Sequence, residues 1–117
     1  MVKTNPRLVK LVQDLKTKSR EEGVAIWKDV AKRLERPTRN YAEVNVGHIN
    51  RHVLKDETVL VPGKVLGSGM LDHPVAIVAL DFSLSARDKI TNVKGKCLTI
   101  EQLMEENPSG KGVRIIQ

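Results

Sequence analysis

One short stretch of the chain has the residue types that contact phosphate groups. It is the string GKVLGSG at residues 63–69. Glycines let backbone N–H groups approach phosphate oxygens closely, and Lys64 adds positive charge, so the string indicates a loop that contacts an anion. The order GxxxxGK[ST] is absent and the glycines do not lead directly into a helix, which argues against ATP or GTP binding. The alternative is a turn whose glycines only provide positive φ angles.

A second stretch, residues 36–41, is rich in hydrogen-bond donors. Arg36 and Arg39 can each form two hydrogen bonds to a phosphate, Asn40 can bond a sugar or base edge, and Tyr41 offers a stacking face. These are the properties of an RNA-binding loop. The alternative is that arginines near the C-terminus of a helix stabilise its dipole and need no ligand.

The histidines do not have the pattern of a metal site. His48 and His52 are four residues apart and would share a helix face, but the glutamate of HExxH is missing and Arg51 lies between them. A cation beside a metal site would weaken metal binding. We therefore expect no metal, and His48 is better interpreted as an RNA contact or a surface residue.

No set of side chains has the arrangement of a catalytic centre. Cys97 is the only cysteine and has no evident Cys/His/Asn set, so we interpret it as a buried structural thiol. Asp72, Asp81 and Asp88 fall on separate predicted elements and form no evident acid–base pair. We expect neither enzymatic activity, a cofactor, nor a small-molecule substrate.

The positive charge of the chain is concentrated in its first half. Residues 1–55 hold 13 Lys and Arg against 6 Asp and Glu, whereas residues 56–117 hold 7 against 8. Excess positive charge on one part of a chain is typical of nucleic-acid binding, although a solvated basic face would have the same composition.

Composition restricts the class of protein further. A chain of 117 residues with 40% hydrophobic and 29% charged residues can form one domain with a core built mainly from Leu, Ile and Val. A lone cysteine favours a reducing cytoplasm. The longest apolar run, residues 75–80, is too short to span a bilayer, so we expect no membrane partner.

The first 40 residues are predicted to form a pair of helices. Asn5 is a good N-cap, Pro6 suits the first helical position, and Gly23 marks the break between the helices. The second helix should bury Trp27 as a core anchor and end before Pro37.

Residues 41–117 are predicted to form an α/β core. Strands are expected at Val44 and Val46, over Thr58–Val61 up to a Pro62–Gly63 turn, over residues 75–80 and over residues 113–116. Helical signals alternate with them, so the sheet should be parallel or mixed. These signals are a helical turn at residues 47–52, a helix that Ser85 and Asp88 cap and a helix that Thr99 and Gln102 cap.

Four segments together resemble a known family. They are KTNPRL, RPTRNYAEVNVGHINRH, VLVPGKVLGSG and VAIVALDFSLSARDKI. They look like the archaeal and eukaryotic large-subunit ribosomal protein family eighteen-e, itself related to the C-terminal part of bacterial large-subunit protein fifteen. The likeness covers essentially the whole chain, and the compact length is similar to that of archaeal members.

The resemblance implies a structural constituent of the large ribosomal subunit, located in the cytoplasm, that binds large-subunit ribosomal RNA and neighbouring ribosomal proteins. The implied fold is α/β: an N-terminal helical pair followed by an irregular β-β-α superhelix with short strands, in a single RNA-binding domain over residues 1–117. The expected RNA-binding residues lie in basic and glycine-rich segments: Lys3, Asn5, Arg7, Arg36, Thr38, Arg39, Asn40, Tyr41, His48, Arg51, Lys64, Gly67, Ser68, Gly69 and Arg87.

Two other functions fit parts of the sequence. Residues 26–46 resemble a helix-turn-helix of a DNA-binding regulator, but Glu35 stands where a turn glycine is usual and helical periodicity is weak after Pro37. A protein-interaction module would favour an exposed aromatic patch, which an aromatic content of 3% makes difficult.

Overall fold

The computed structural model describes residues 5–37 and 41–117 and confirms the α/β class. In these residues two helices come first, and strands and helices then alternate, except that two consecutive strands follow the third helix. The helices are Pro6–Glu22 (α1), Ile26–Leu34 (α2), Val46–His52 (α3), Leu84–Asn92 (α4) and Ile100–Glu106 (α5). The strands are Ala42–Asn45 (β1), Thr58–Leu66 (β2), Ala76–Phe82 (β3), Lys96–Thr99 (β4) and Val113–Ile115 (β5).

The chain divides into two compact units. The helical unit comprises residues 1–41 and 101–111, and the α/β unit comprises residues 42–100 and 112–117. The division near residue 41 lies close to the one expected between the helical pair and the core. Residues 101–111, which the sequence assigned to the core, cluster with the helical pair. The single domain over residues 1–117 stays a prediction.

Local signals set the ends of α1 as predicted. The Asn5 side chain accepts hydrogen bonds from the backbone N–H groups of Arg7 and Leu8, at 3.0 and 3.4 Å, and Pro6 occupies the first turn. Gly23 follows the helix with a φ of 66°, a left-handed conformation that glycine adopts without strain.

The helical unit is built around Trp27, as expected. Its side chain is fully buried, and its indole N–H donates a 2.7 Å hydrogen bond to the carbonyl oxygen of Pro108. Leu11 and Leu15 of α1 are buried in the same unit, as are Val30 and other residues of α2. Ile26, expected in the same stripe, is only half-buried.

The α/β unit contains a parallel sheet of order β1-β2-β3-β4, in which β5 also pairs with β2. The first half of β2 pairs with β5 and its second half with β1, while β3 lies along its other edge. Because every one of these pairings is parallel, the carboxyl ends of β1 and β2 meet at the same edge of the sheet. The sequence predicted a parallel or mixed sheet, and the structure has the parallel form.

Apolar side chains of the sheet and of α3 and α4 form the core of this unit. Members such as Val59, Ile77, Ile49 and Ile90 are fully buried. Burial of each aliphatic side chain of this size contributes roughly 1.5–3 kcal/mol. A well-filled core therefore fixes the positions of the surface loops that leave the sheet.

The turn predicted at Pro62–Gly63 is wrong. Strand β2 continues through both residues to Leu66, with an irregularity in its pairing with β3 between Val61 and Lys64. Proline is tolerated at such a bulge because no ladder hydrogen bond from its nitrogen is required. A Cβ atom at Gly63 would lie 2.0 Å from the carbonyl oxygen of Ala42, so the glycine allows close approach of β1. Lys64 consequently lies on a strand and not in a loop.

Two smaller expectations also need correction. Val46 begins α3 instead of extending β1. The N-cap of α4 is Ser83, whose hydroxyl accepts a 3.1 Å hydrogen bond from the N–H of Ala86, and Ser85 lies inside the helix. An N-cap residue has extended backbone geometry. Ser83 has this geometry because it directly follows the end of β3 at Phe82, so Ser83 caps the helix and Ser85 does not.

The described residues contain neither a second helix of a helix-turn-helix nor a membrane-spanning helix. After α2 ends at Leu34, the next element of the described chain is the strand β1. Among the same residues, no helix has the length and apolar character needed to cross a membrane.

Candidate nucleic-acid interface

Four of the predicted RNA-binding residues come together at the carboxyl ends of β1 and β2. His48, Arg51, Ser68 and Gly69 line a depression of about 370 Å³, which we call the β1–β2 depression. Its other lining residues are Glu43, Val44, Asn45, Gly47 and Gln117. Residues about twenty positions apart in sequence thus form one surface.

Two glycines bring the walls of the depression together. The backbone N–H of Gly47 donates a 3.0 Å hydrogen bond to the carbonyl oxygen of Ser68. A Cβ atom at Gly69 would lie 2.7 Å from the Cα of Gly47, and Gly69 has a φ of 90°. Glycine at these positions has a packing role as well as the conformational role considered from the sequence.

Lys89 of α4 forms hydrogen bonds to the glycine-rich loop at residues 67–69. Its ammonium donates hydrogen bonds of 2.6 Å to the carbonyl oxygens of both Gly67 and Gly69. The side-chain oxygen of Asn45 accepts a further 3.3 Å hydrogen bond from the N–H of Ser68. Sequence reasoning missed Lys89, because its partners lie 20 and 22 positions away and no local signal connects them.

Helix α3 supplies the cationic side of the depression. Arg51 is exposed and His48 is half-buried, with the rings of His48 and His52 at a centroid separation of 4.5 Å. Within residues 5–37 and 41–117, no group of three His, Cys, Asp or Glu side chains is placed to hold a metal ion.

Lys64 and Arg87 are exposed residues of the α/β unit. Lys64 lies on β2, and its register partners on the neighbouring strands are two acidic residues, Glu43 on β1 and Asp81 on β3. The guanidinium carbon of Arg87 lies 5.1 Å from the centroid of the Phe82 ring, a cation–π distance that leaves the side chain exposed.

Predicted residues of the helical unit make intramolecular contacts. The guanidinium of Arg7 donates to both carboxylate oxygens of Glu101, at 3.0 and 3.2 Å. Partial burial opposes the charge of Glu101, but the hydrogen bonds and charge of Arg7 outweigh it and lower the pKa of the carboxyl. Tyr41 donates a 2.6 Å hydrogen bond to the carbonyl oxygen of Leu34, and Arg36 is exposed in the bend after α2.

The remaining predicted residues, Lys3, Thr38, Arg39 and Asn40, lie outside the described residues.

Cys97 is half-buried on β4, and this burial raises the pKa of its thiol above the ordinary value. A thiol that stays protonated at neutral pH is a poor nucleophile, which agrees with a structural role.

The fold is that of a small α/β protein with a surface depression shaped by close glycine contacts, and comparisons with known proteins give its family. Residues 2–117 match the family described as ribosomal protein 60S L18 and 50S L18e. The chain belongs to this family. Its members are structural, non-enzymatic proteins, which confirms the prediction that the chain is not an enzyme.

Individual relatives match along nearly their full lengths. A protein of Methanothermobacter thermautotrophicus, large ribosomal subunit protein eL18, is 62% identical over all of this chain and 97% of its own length. The protein of the same name from Methanoregula boonei is 59% identical over 98% of this chain and 95% of its own length. That of Haloarcula marismortui is 54% identical over the whole of both chains. These relatives are archaeal, as the resemblance predicted.

Proposed function

We propose that the chain is a structural constituent of the large ribosomal subunit and binds large-subunit ribosomal RNA through the β1–β2 depression. Membership of the family and the names of the relatives support the structural role in the subunit. In this role the chain lies in the cytoplasm, supports translation and contacts neighbouring ribosomal proteins as well as RNA.

The observation that carries the RNA-binding part is the convergence of His48, Arg51, Ser68 and Gly69 on one depression. The sequence indicates the glycine-rich string by its phosphate-binding chemistry and His48 as an RNA contact or surface residue, whereas the family resemblance indicates Arg51 and Ser68. They come from two separate segments of the sequence. A common surface allows them to contact one continuous stretch of RNA backbone.

The chemistry of the depression suits ribose and phosphate. Arg51 can form two hydrogen bonds to a phosphate, and the Glu43 carboxylate can accept a hydrogen bond from a ribose 2′-hydroxyl. The carbonyl oxygen of Gly69 accepts a hydrogen bond from Lys89. In a trans peptide bond the C=O and the N–H of the next residue point in opposite directions, so the N–H of Met70 points away from Lys89. That N–H can therefore donate to an RNA oxygen above the loop.

The other predicted residues would make separate RNA contacts. Arg36 and Arg39 would bind phosphates, Asn40 a sugar or base edge, and Tyr41 would stack on a base. Arg87 would contribute a cation whose guanidinium lies over the Phe82 ring. Lys64 is the weakest candidate, because its register partners on the neighbouring strands are the acidic residues Glu43 and Asp81. We expect the depression residues to contribute more than Lys64.

The test is a salt titration of binding to a transcript of the large-subunit ribosomal RNA. Arg51→Gln should weaken binding and flatten the slope of log affinity against log salt by about 0.7–0.9, the value for one lost phosphate contact. Lys96→Gln is the matched control, since Lys96 is exposed at the start of β4, the opposite edge of the sheet. Equal effects of the two variants, or stronger wild-type binding to duplex DNA than to the transcript, would contradict the proposal.

A further inference from the structure

The helical pair contains a cationic groove that the sequence did not single out. It has a volume of about 290 Å³ and lies along α1 and α2, and we call it the hairpin groove. Its lining residues are Lys16, Ser19, Arg20, Lys28, Lys32 and Glu35. All four cations have exposed side chains, so they are accessible to a ligand from solvent.

The spacing of the cations places like charges side by side. Lys16 and Arg20 are four residues apart on α1, and Lys28 and Lys32 are four apart on α2. Residues at this spacing share a helix face, where like charges repel and destabilise the helix. Two such pairs facing one groove are unfavourable in the free protein, and an anion bound between them would relieve the repulsion.

The protein itself neutralises this groove only in part. The ammonium of Lys16 lies 3.0 Å from a carboxylate oxygen of Glu35, the one acidic residue among those that line the groove. Arg20 donates to the hydroxyl of Thr17 at 3.4 Å, which leaves its charge in place. By contrast, Lys10 and Arg33 on the same helices pair with Asp14 and Asp29.

The opposite charge lies along another side of α1. A second depression of the helical unit is lined by the acidic residues Asp14, Glu21, Glu101 and Glu105, with Lys18 as its only cation. Arg7 and Lys10 pair with Glu101 and Asp14, while Glu21 and Glu105 add negative charge, so that side should attract a polyanion less than the hairpin groove does. The unit therefore has one face suited to an anionic polymer and one that is not.

We infer that the hairpin groove is a second RNA contact, which takes the phosphodiester backbone of a strand without reading its bases. The inference rests on the proposed function, since ribosomal RNA is the anionic polymer that function supplies. The long Lys and Arg side chains can adjust to phosphates at varied positions, with their methylene stems forming the walls. Contacts of this kind position a protein on RNA and strengthen binding in a salt-dependent way.

The experiment compares two triple variants with equal loss of charge. The groove variant is Arg20→Gln, Lys28→Gln, Lys32→Gln, and the control is Lys10→Gln, Lys18→Gln, Lys111→Gln in the same unit. On the large-subunit RNA transcript, the groove variant should flatten the slope of log affinity against log salt by about 2.1–2.7, at roughly 0.7–0.9 for each of three lost contacts. The control should keep most of the wild-type slope. Urea denaturation should show the groove variant at least as stable as wild type, since both like-charge pairs are removed.

Each outcome has a distinct meaning. Equal slopes for the groove variant and the control would overturn the groove inference, while the Arg51→Gln effect would still uphold the proposed function. A groove variant that keeps RNA affinity but loses binding to polyglutamate would assign the groove to an acidic protein segment instead, and also overturn it. No binding of wild type to the transcript would overturn both proposals.

Discussion

The two units of this protein present their candidate RNA contacts by different means. In the α/β unit, backbone groups form much of the surface: Gly47 and Gly69 touch, and Lys89 uses its charge internally on loop carbonyls. In the helical unit, the hairpin groove depends on exposed side-chain cations carried by two regular helices. The α/β site should therefore depend on exact backbone geometry, whereas the helical site should depend mainly on charge.

The largest expected effect concerns the scaffold of the helical unit. Trp27→Ala removes a fully buried ring and its hydrogen bond to Pro108, and should lower the free energy of unfolding by about 3–5 kcal/mol. Urea denaturation measures this change in the free energy of unfolding. Lys28→Ala, next along α2 and exposed, is the control and should change stability by less than about 0.5 kcal/mol. Similar stabilities for the two variants would mean that the helical unit does not depend on this core.

An effect of intermediate size should show whether the α/β site depends on backbone geometry, in contrast to the charge-dependent helical site. Lys89→Met keeps a similar length but leaves the carbonyls of Gly67 and Gly69 without their charged donor, so stability should fall by about 1.5–3 kcal/mol. RNA affinity should fall with it, because the loop loses its fixed shape. The matched variant Lys96→Met should do neither. Loss of RNA affinity at unchanged stability would show instead that Lys89 binds RNA directly.

The smallest expected effect is a pH dependence specific to the α/β unit. The ring nitrogens of His73 lie 2.8 Å from a carboxylate oxygen of Asp72 and 2.7 Å from the carbonyl oxygen of Val53. Both partners only accept hydrogen bonds, so the doubly protonated ring fits best. The hydrogen bond to Asp72, followed by that to Val53, raises the pKa of His73 above its ordinary value of 6.5. The same contact lowers the pKa of Asp72 below 3.8.

A raised histidine pKa stabilises the fold below the unfolded value of 6.5, and this contribution is lost as pH rises through the folded value. The Asp72 contribution is lost at the acid end, as pH falls through its lowered pKa. Wild type should therefore lose stability relative to His73→Gln as pH rises from 6.5 through the raised pKa of the folded state, measured by urea denaturation. Asp72→Asn should reduce this pH dependence. A constant difference between wild type and His73→Gln over that range would contradict the account.

Local sequence signals predicted the helical pair well because its limits depend on neighbouring residues. Asn5, Pro6 and Gly23 act within one turn of the helix they delimit, and the structure confirms all three. At Pro62–Gly63 the local turn signal failed, because pairing of β2 with both β1 and β3 stabilises a continuous strand. Tertiary contacts there outweigh a preference of a few residues.

The candidate interface was predictable by residue type but not by arrangement. His48 and the glycine-rich string could be named from their chemistry, and Arg51 and Ser68 from the family resemblance. Lys89 could be named from neither, since its contacts depend on how α4 packs beside the loop. The hairpin groove gave only a weak signal, two pairs of cations at helical spacing. The structure adds that both pairs line the same groove between α1 and α2, which the spacing alone does not show.

Crosslinking from the β1–β2 depression tests the central claim most directly. In a Cys97→Ala background, Ser68→Cys and Lys96→Cys would each carry the same short photoreactive probe, placing it at the depression or at the opposite edge of the sheet. Both proteins would be assembled into large subunits and irradiated. We predict crosslinks to large-subunit ribosomal RNA from position 68 at several times the yield from position 96. Equal RNA yields at the two positions, or crosslinks from position 68 to protein alone, would contradict the assignment of this surface to RNA.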